Sequence, residues 1–227
     1  MQRIVIWDLP TRVFHWLLVV CVVGSYVSQQ VGGNAMEWHG RCGLAILGLL
    51  VFRVVWGFAG STYARFTTFI KGPETIRDYL RGQWRGEGHN PLGALSVLAL
   101  LGTLFALVAT GVFSNDDIAF EGPLYALISK ELSDRMVGFH RLLEWLIIAL
   151  LLAHLAAIAF YGHVKKNKLI KPMIRGWKET DQGESAKGGS LIGLIAAIAT
   201  AIASVVAASG IWIPEAPPPD PATIPSW

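Results

Sequence analysis

Five runs of about twenty predominantly apolar residues constrain this chain more than any other feature of it. They lie at about Val13 to Val31, Trp38 to Phe58, Leu92 to Phe113, Val137 to Tyr161 and Ser190 to Ile213. A helix of about 20 residues crosses the roughly 30 Å hydrocarbon layer of a bilayer. Within lipid, only helices and closed barrels satisfy their own backbone polar groups. The expected fold class is therefore an all-α integral membrane protein. Composition agrees: 53% of the 227 residues are hydrophobic and 15% charged, with mean hydropathy +0.47, against about a quarter charged in a soluble domain.

The segments between the runs set an orientation. Basic residues cluster in residues 1–12, 59–91 and 162–189, fourteen in all, whereas the opposite loops hold only Lys130 and Arg135. Positive charge marks the cytoplasmic side, so the N-terminus is expected in the cytoplasm and the C-terminus in the periplasm, in a bacterial inner membrane. The net charge of +3 is distributed as a topology signal, with no basic stripe interleaved with aromatics on a soluble segment, so no nucleic-acid partner is expected. The first run is preceded by Asp8 and Pro10 and ends in Ser28, Gln29 and Gln30 without a small-x-small site, unlike a removable signal peptide.

Three further segments have simpler readings. Thr67 to Arg85 reads as a short amphipathic surface helix with Phe69, Ile76, Tyr79, Leu80 and Trp84 toward lipid, or as an ordinary loop. The tail from Pro214 to Trp227 carries Pro217, Pro218 and Pro219 and is expected to be extended or disordered. Cys21 and Cys42 both fall in apolar runs and read as buried thiols, not a disulfide framework.

The chemistry is carried by histidines. His15, His39, His140 and His154 lie in or at the ends of the first, second and fourth runs, and an ionisable group inside lipid is costly and turned inward for a reason. His140 and His154 are 14 positions apart, which puts them within about 40° of one helix face and about 21 Å apart along the axis. One therefore stands in each half of the bilayer. Topology pairs His15 with His154 near the cytoplasmic side and His39 with His140 near the other. Two axial imidazoles saturate a haem iron for electron transfer, and zinc would need a tighter cluster than this spacing allows. No C-x-x-C-H occurs, which excludes the usual covalent c-type attachment, and the histidines are expected to hold two b-type haems.

Arg12, Arg41 and Arg141 lie beside these histidines in sequence and Arg53 lies inside the second run. Each is a candidate fork for a haem propionate, or a side chain snorkelling to the interface. His89 and His163, at the cytoplasmic ends of the third and fourth runs, read as interfacial histidines or as proton-exchange or quinone contacts.

Together these residues resemble the bacterial cytochrome b561 family, particularly the b-type cytochrome subunit of nickel-iron hydrogenases. The matching blocks are Trp7, Asp8, Leu9, Pro10, Thr11 and Arg12 with Phe14, His15 and Trp16; then His39, Gly40, Gly43, Arg53, Trp56, Gly57 and Gly60 with Ala64, Arg65, Phe66, Gly72 and Pro73. Further blocks are Gly88, His89, Asn90, Pro91, Leu92 and Gly93 with Thr110 and Gly111, and His140, His154, Lys168, Leu169 and Met173. The resemblance implies a four-helix transmembrane dihaem bundle over residues 1–176, ligated by the four histidines and exchanging electrons with quinone. It also implies a periplasmic redox partner, either a hydrogenase-like enzyme or a c-type cytochrome.

The chain departs from that pattern after Trp177. Residues 177–213 are expected to form a cytoplasmic linker and a fifth transmembrane helix, and 214–227 a Pro-rich periplasmic tail. Gly193, Ala197, Ala201 and Ser204 recur at helical spacing and would pack on the core or on a second protein, as in a homo- or hetero-oligomer. Two other functions remain open: a membrane anchor or assembly subunit for a periplasmic redox enzyme, and a small proton-relaying transporter.

Overall fold

The computed structural model describes residues 2–118, 120–181 and 183–214. A strand, β1 (Gln2–Val5), leads into α1 (Leu9–Val31). Asp8 starts that helix by accepting from the Thr11 amide at 2.8 Å, and Pro10 sits in its first turn, where the missing N–H costs nothing. Gly32, at φ +69°, adopts the left-handed backbone that ends α1, and one 3₁₀ turn (Gly33–Ala35) reverses the chain into α2 (Met36–Ala59). Two short helices follow, α3 (Phe66–Phe69) and α4 (Pro73–Leu80), before α5 (Pro91–Gly111), which Asn90 caps from the Gly93 amide. Next come α6 (Lys130–His163), α7 (Ile170–Arg175), strand β2 (Trp177–Thr180) and α8 (Leu191–Ala208).

The five expected spans are α1, α2, α5, α6 and α8, each long and apolar enough to cross a membrane. The protein is an all-α multi-pass membrane protein. The fourth span differs most from its expected limits. At 34 residues it is about 51 Å long and overreaches the hydrocarbon layer, because Ser129 caps it early and Lys130 pairs with Asp134 one turn on. Charges that read as loop are its first two turns. The fifth span stops at Ala208, short of the expected Ile213, where Ser209 and Gly210 break it.

Helix α2 is central: α1, α5 and α8 all pack on it, and α6 packs along α5. Ile46, Leu50, Leu104, Val108 and Ile147 form the buried core where α2, α5 and α6 meet. Outward faces carry bare apolar side chains such as Val20 and Val23 on α1, Leu152 and Leu155 on α6, and Ile195 and Ile202 on α8. A surface of this kind suits lipid and not water.

Helix α8 turns its small residues inward. Gly193 and Ala197 are buried, a Cβ on Gly193 would stand 3.0 Å from that of Ala59, and one on Gly48 would stand 2.9 Å from Val205 Cγ2. The small-residue stripe therefore seats α8 on α2 of the same chain, which removes it as a docking face for another protein.

Residues expected to be loop build a second, smaller core at the end of the bundle that carries the N-terminus. Strands β1 and β2 pair antiparallel, Gln2 opposite Thr180 and Val5 opposite Trp177. Ile4, Ile6 and Trp7 are buried beneath them against Tyr63 and Met173. The linker is fastened across this end: Thr62 N donates to Lys187 O at 2.8 Å, Tyr63 Oη to Glu184 O at 2.7 Å, and Lys178 pairs with Glu87. The surface segment is two helices instead of one. Phe69 is buried beside His89, which corrects its expected lipid-facing position, and Leu80 stands exposed. The tail from residue 215 onward lies outside the described residues.

Candidate functional site

His39 lies at the first turn of α2 and His140 about three turns into α6, at the end of the bundle away from the N-terminus. Their ring centroids lie 6.0 Å apart and their planes cross at 74°. His39 Nδ1 donates to Ser25 O on α1 at 3.0 Å, and His140 Nδ1 donates to Leu107 O on α5 at 2.9 Å. Ser25 Oγ and Thr110 Oγ1 stand 3.1 Å from the same two nitrogens. A carbonyl only accepts, so each Nδ1 carries the proton and each Nε2 keeps its lone pair. This is the tautomer a metal-ligating imidazole needs, fixed by an acceptor behind the ring.

The spacing also fits the group. With metal–nitrogen bonds of about 2 Å on each side, two imidazoles sharing one iron hold their centroids about 6 Å apart. One turn beyond His39, a Cβ on Gly43 would meet nothing within 4 Å, so α2 leaves room there. Gly111 lets His140 lie against α5, since a Cβ would stand 3.1 Å from Cε1.

At the N-terminal end, His15 on α1 and His154 on α6 are both half-buried, and His15 lies within electrostatic reach of His154. Trp16 sets its ring edge-on to His15 at 5.1 Å and donates from Nε1 to Met173 O. His15 Nδ1 is buried with no partner in the protein. All four histidines thus come together in the two pairs that topology requires, one pair near each end of α6.

The arginines divide. Arg41 pairs with Glu37 one turn away and lies over the Trp38 ring, and Arg141 is exposed. Arg12 donates from Nη1 to Ile174 O at 2.7 Å and so ties α1 to the end of α7, while its Nε is buried without a partner. Arg53 is 3% exposed, lies 4.6 Å from the Phe66 ring centroid, and has no partner for Nη1.

Two features escape sequence reasoning. Ser25 and the Leu107 carbonyl, which orient His39 and His140, carry no motif beyond a small hydroxyl or a peptide group in an apolar helix. His89 is half-buried, with its Nδ1 closed off from solvent and with Trp7 at 4.6 Å and Phe69 at 4.5 Å. Burial and then the Arg53 charge lower its pKa to about 3, so it is neutral at physiological pH. His163 is exposed and donates to Ala159 O. His89 also borders a cleft of about 390 Å³ with Tyr63, Phe69, Trp84 and Pro91.

The comparisons with known proteins agree on one family. Residues 6–176 match the family model described as prokaryotic cytochrome b561. The Probable Ni/Fe-hydrogenase 1 B-type cytochrome subunit of Escherichia coli (strain K12) is 21% identical over 218 residues, covering 79% of this chain and 92% of that protein. The Probable Ni/Fe-hydrogenase B-type cytochrome subunit of Azotobacter chroococcum mcd 1 is 23% identical over 214 residues, covering 76% and 87%. No solved structure matches the chain. The family match spans well over half the chain and takes in all four paired histidines, so this protein belongs to the prokaryotic cytochrome b561 family, membrane proteins that carry electrons on b-type haem.

Proposed function

We propose that this chain holds two haem b groups, one between His39 and His140 and the other between His15 and His154, and relays electrons between a periplasmic redox protein and membrane quinone. The observation that carries the reading is the outer pair: two imidazoles 6.0 Å apart, each with Nδ1 committed to a carbonyl. Bound haem iron supplies a reversible one-electron carrier whose potential answers to burial, hydrogen bonding and nearby charge. The protein's part is to hold the imidazoles in one tautomer, exclude water with the apolar walls of α2, α5 and α6, and set those charges.

The loop charges support an inner-membrane protein with its N-terminus in the cytoplasm. The relatives are named as hydrogenase subunits, which supports a hydrogenase as the periplasmic partner. The cleft bordered by Tyr63, Trp84 and His89 lies among the basic segments that precede α5, and its volume of about 390 Å³ suits a small organic ring system. Quinone chemistry belongs there. A reduced-minus-oxidised spectrum of the purified protein tests the reading. Low-spin b-type bands are expected, one component lost in His39→Ala and the other in His15→Ala; a protein without such bands refutes it.

A further inference from the structure

Buried polar side-chain atoms without a hydrogen-bond partner are rare in folded proteins. In this chain, those found among the described residues all lie at the N-terminal end of the bundle, including His15 Nδ1, Arg53 Nη1, Arg65 Nε and His89 Nδ1. Glu87 Oε2 is explained by its ion pair with Lys178. The remaining atoms are dominated by donors, which is the pattern left around an anion.

Arg53 and His89 are the centre of that pattern. Arg53 is buried, His89 has its Nδ1 buried, and the Arg53 charge acts on His89. Asp8 is the carboxylate whose charge reaches Arg53, yet its two oxygens already accept from the Thr11 amide at 2.8 Å and Trp56 Nε1 at 3.1 Å. Phe66 covers one face of the guanidinium and takes none of its N–H groups. An unpaired cation is costly to bury, and so is an unsatisfied imidazole N–H.

Depth identifies the anion. The Trp56 to Asp8 bond sets the end of α2 level with the start of α1. Because the two helices run antiparallel, Arg53 stands level with Thr11 and Arg12, about one 5.4 Å turn from His15.

We infer that Arg53 and His89 form a carboxylate pocket that takes a propionate of the haem held by His15 and His154. The inference rests on the two-haem reading above. Arg53 acts as the charged anchor, and neutral His89 adds one N–H donor. A buried cation beside a haem disfavours the more positive ferric state, so this pocket raises the potential of that haem over the outer one, whose neighbouring arginines are paired or exposed.

The test is an optical redox titration of the full-length, haem-replete protein in detergent, with haem counted per chain. Arg53→Gln is expected to lower one midpoint by about tenfold in its equilibrium, about 60 mV for one electron, and to leave the other in place. His89→Gln should move the same haem the same way by less, Arg53→Lys should stay near wild type, and Arg77→Gln, at an exposed position on the same end, should move neither. If Arg53→Gln loses one haem and Arg53→Lys keeps both, the charge requirement is upheld. If neither Arg53 variant retains the inner haem, the His89→Gln midpoint decides: a shift supports the pocket and no shift overturns it. Unmoved midpoints in both Arg53→Gln and His89→Gln overturn it too, including the case of an anion drawn from solution. A wild-type protein with fewer than two haems overturns the two-haem reading itself, before any variant is titrated.

Discussion

His140 lies so close to α5 that a Cβ on Gly111 would stand 3.1 Å from its Cε1 and 3.4 Å from its Nδ1. Gly111→Val should therefore push the ring off the Leu107 carbonyl. Losing a partner behind a ligating histidine weakens metal binding by about 10- to 100-fold, so the variant should purify with about one haem fewer per chain, read from the haem-to-protein ratio. His89 gives a pH signature of known sign. Its folded pKa of about 3 lies below the ordinary 6.5, so the unfolded chain binds the extra proton and stability falls as pH drops below about 6.5. The slope reaches about 1.4 kcal/mol per pH unit. Melting temperatures from pH 7 to pH 5 should fall in wild type and fall less in His89→Gln. At this scale the four paired histidines were legible, because helical periodicity alone puts His140 and His154 on one face. The setting of His89 was not, since its neighbours Trp7 and Phe69 come from separate segments brought together only by the fold.

Helix α8 shows what a stripe of small residues does once its partner is known. Gly48 and Gly193 let α8 and α2 approach until side chains meet backbone, and in lipid this close packing is the main attraction between helices. Gly48→Leu should separate them. Overpacking of this kind costs about 1–3 kcal/mol, visible as a lower melting temperature in detergent, while the haem bands stay unchanged because α8 carries no histidine. Hydropathy was enough to place all five spans, with errors confined to ends where charge or glycine decides. It could not say which face of α8 meets what, because Gly193, Ala197, Ala201 and Ser204 suit a neighbour in the same chain as well as one in another. Strands β1 and β2 were illegible for a related reason: four-residue strands are too short for a period to declare itself, and each pairs with a segment far away in the sequence.

As a whole, the molecule is a bundle whose ends differ. The outer end presents His39 and His140 in a neutral apolar setting, with charge at the surface in the Arg41–Glu37 pair. The N-terminal end is capped by the β1–β2 ribbon and keeps the buried guanidinium of Arg53. The charge count in the loops already implied this polarity, but not that the linker folds back to close one end. Electron paramagnetic resonance of the oxidised, full-length protein tests the two-site account most directly. Crossed imidazole planes leave two iron d orbitals nearly equal in energy, so the 74° crossing of His39 and His140 predicts a strongly anisotropic low-spin ferric signal, beside a second low-spin signal from the inner site. His140→Ala should abolish the first and spare the second. A single signal in wild type, or two signals that both survive His140→Ala, would contradict the account.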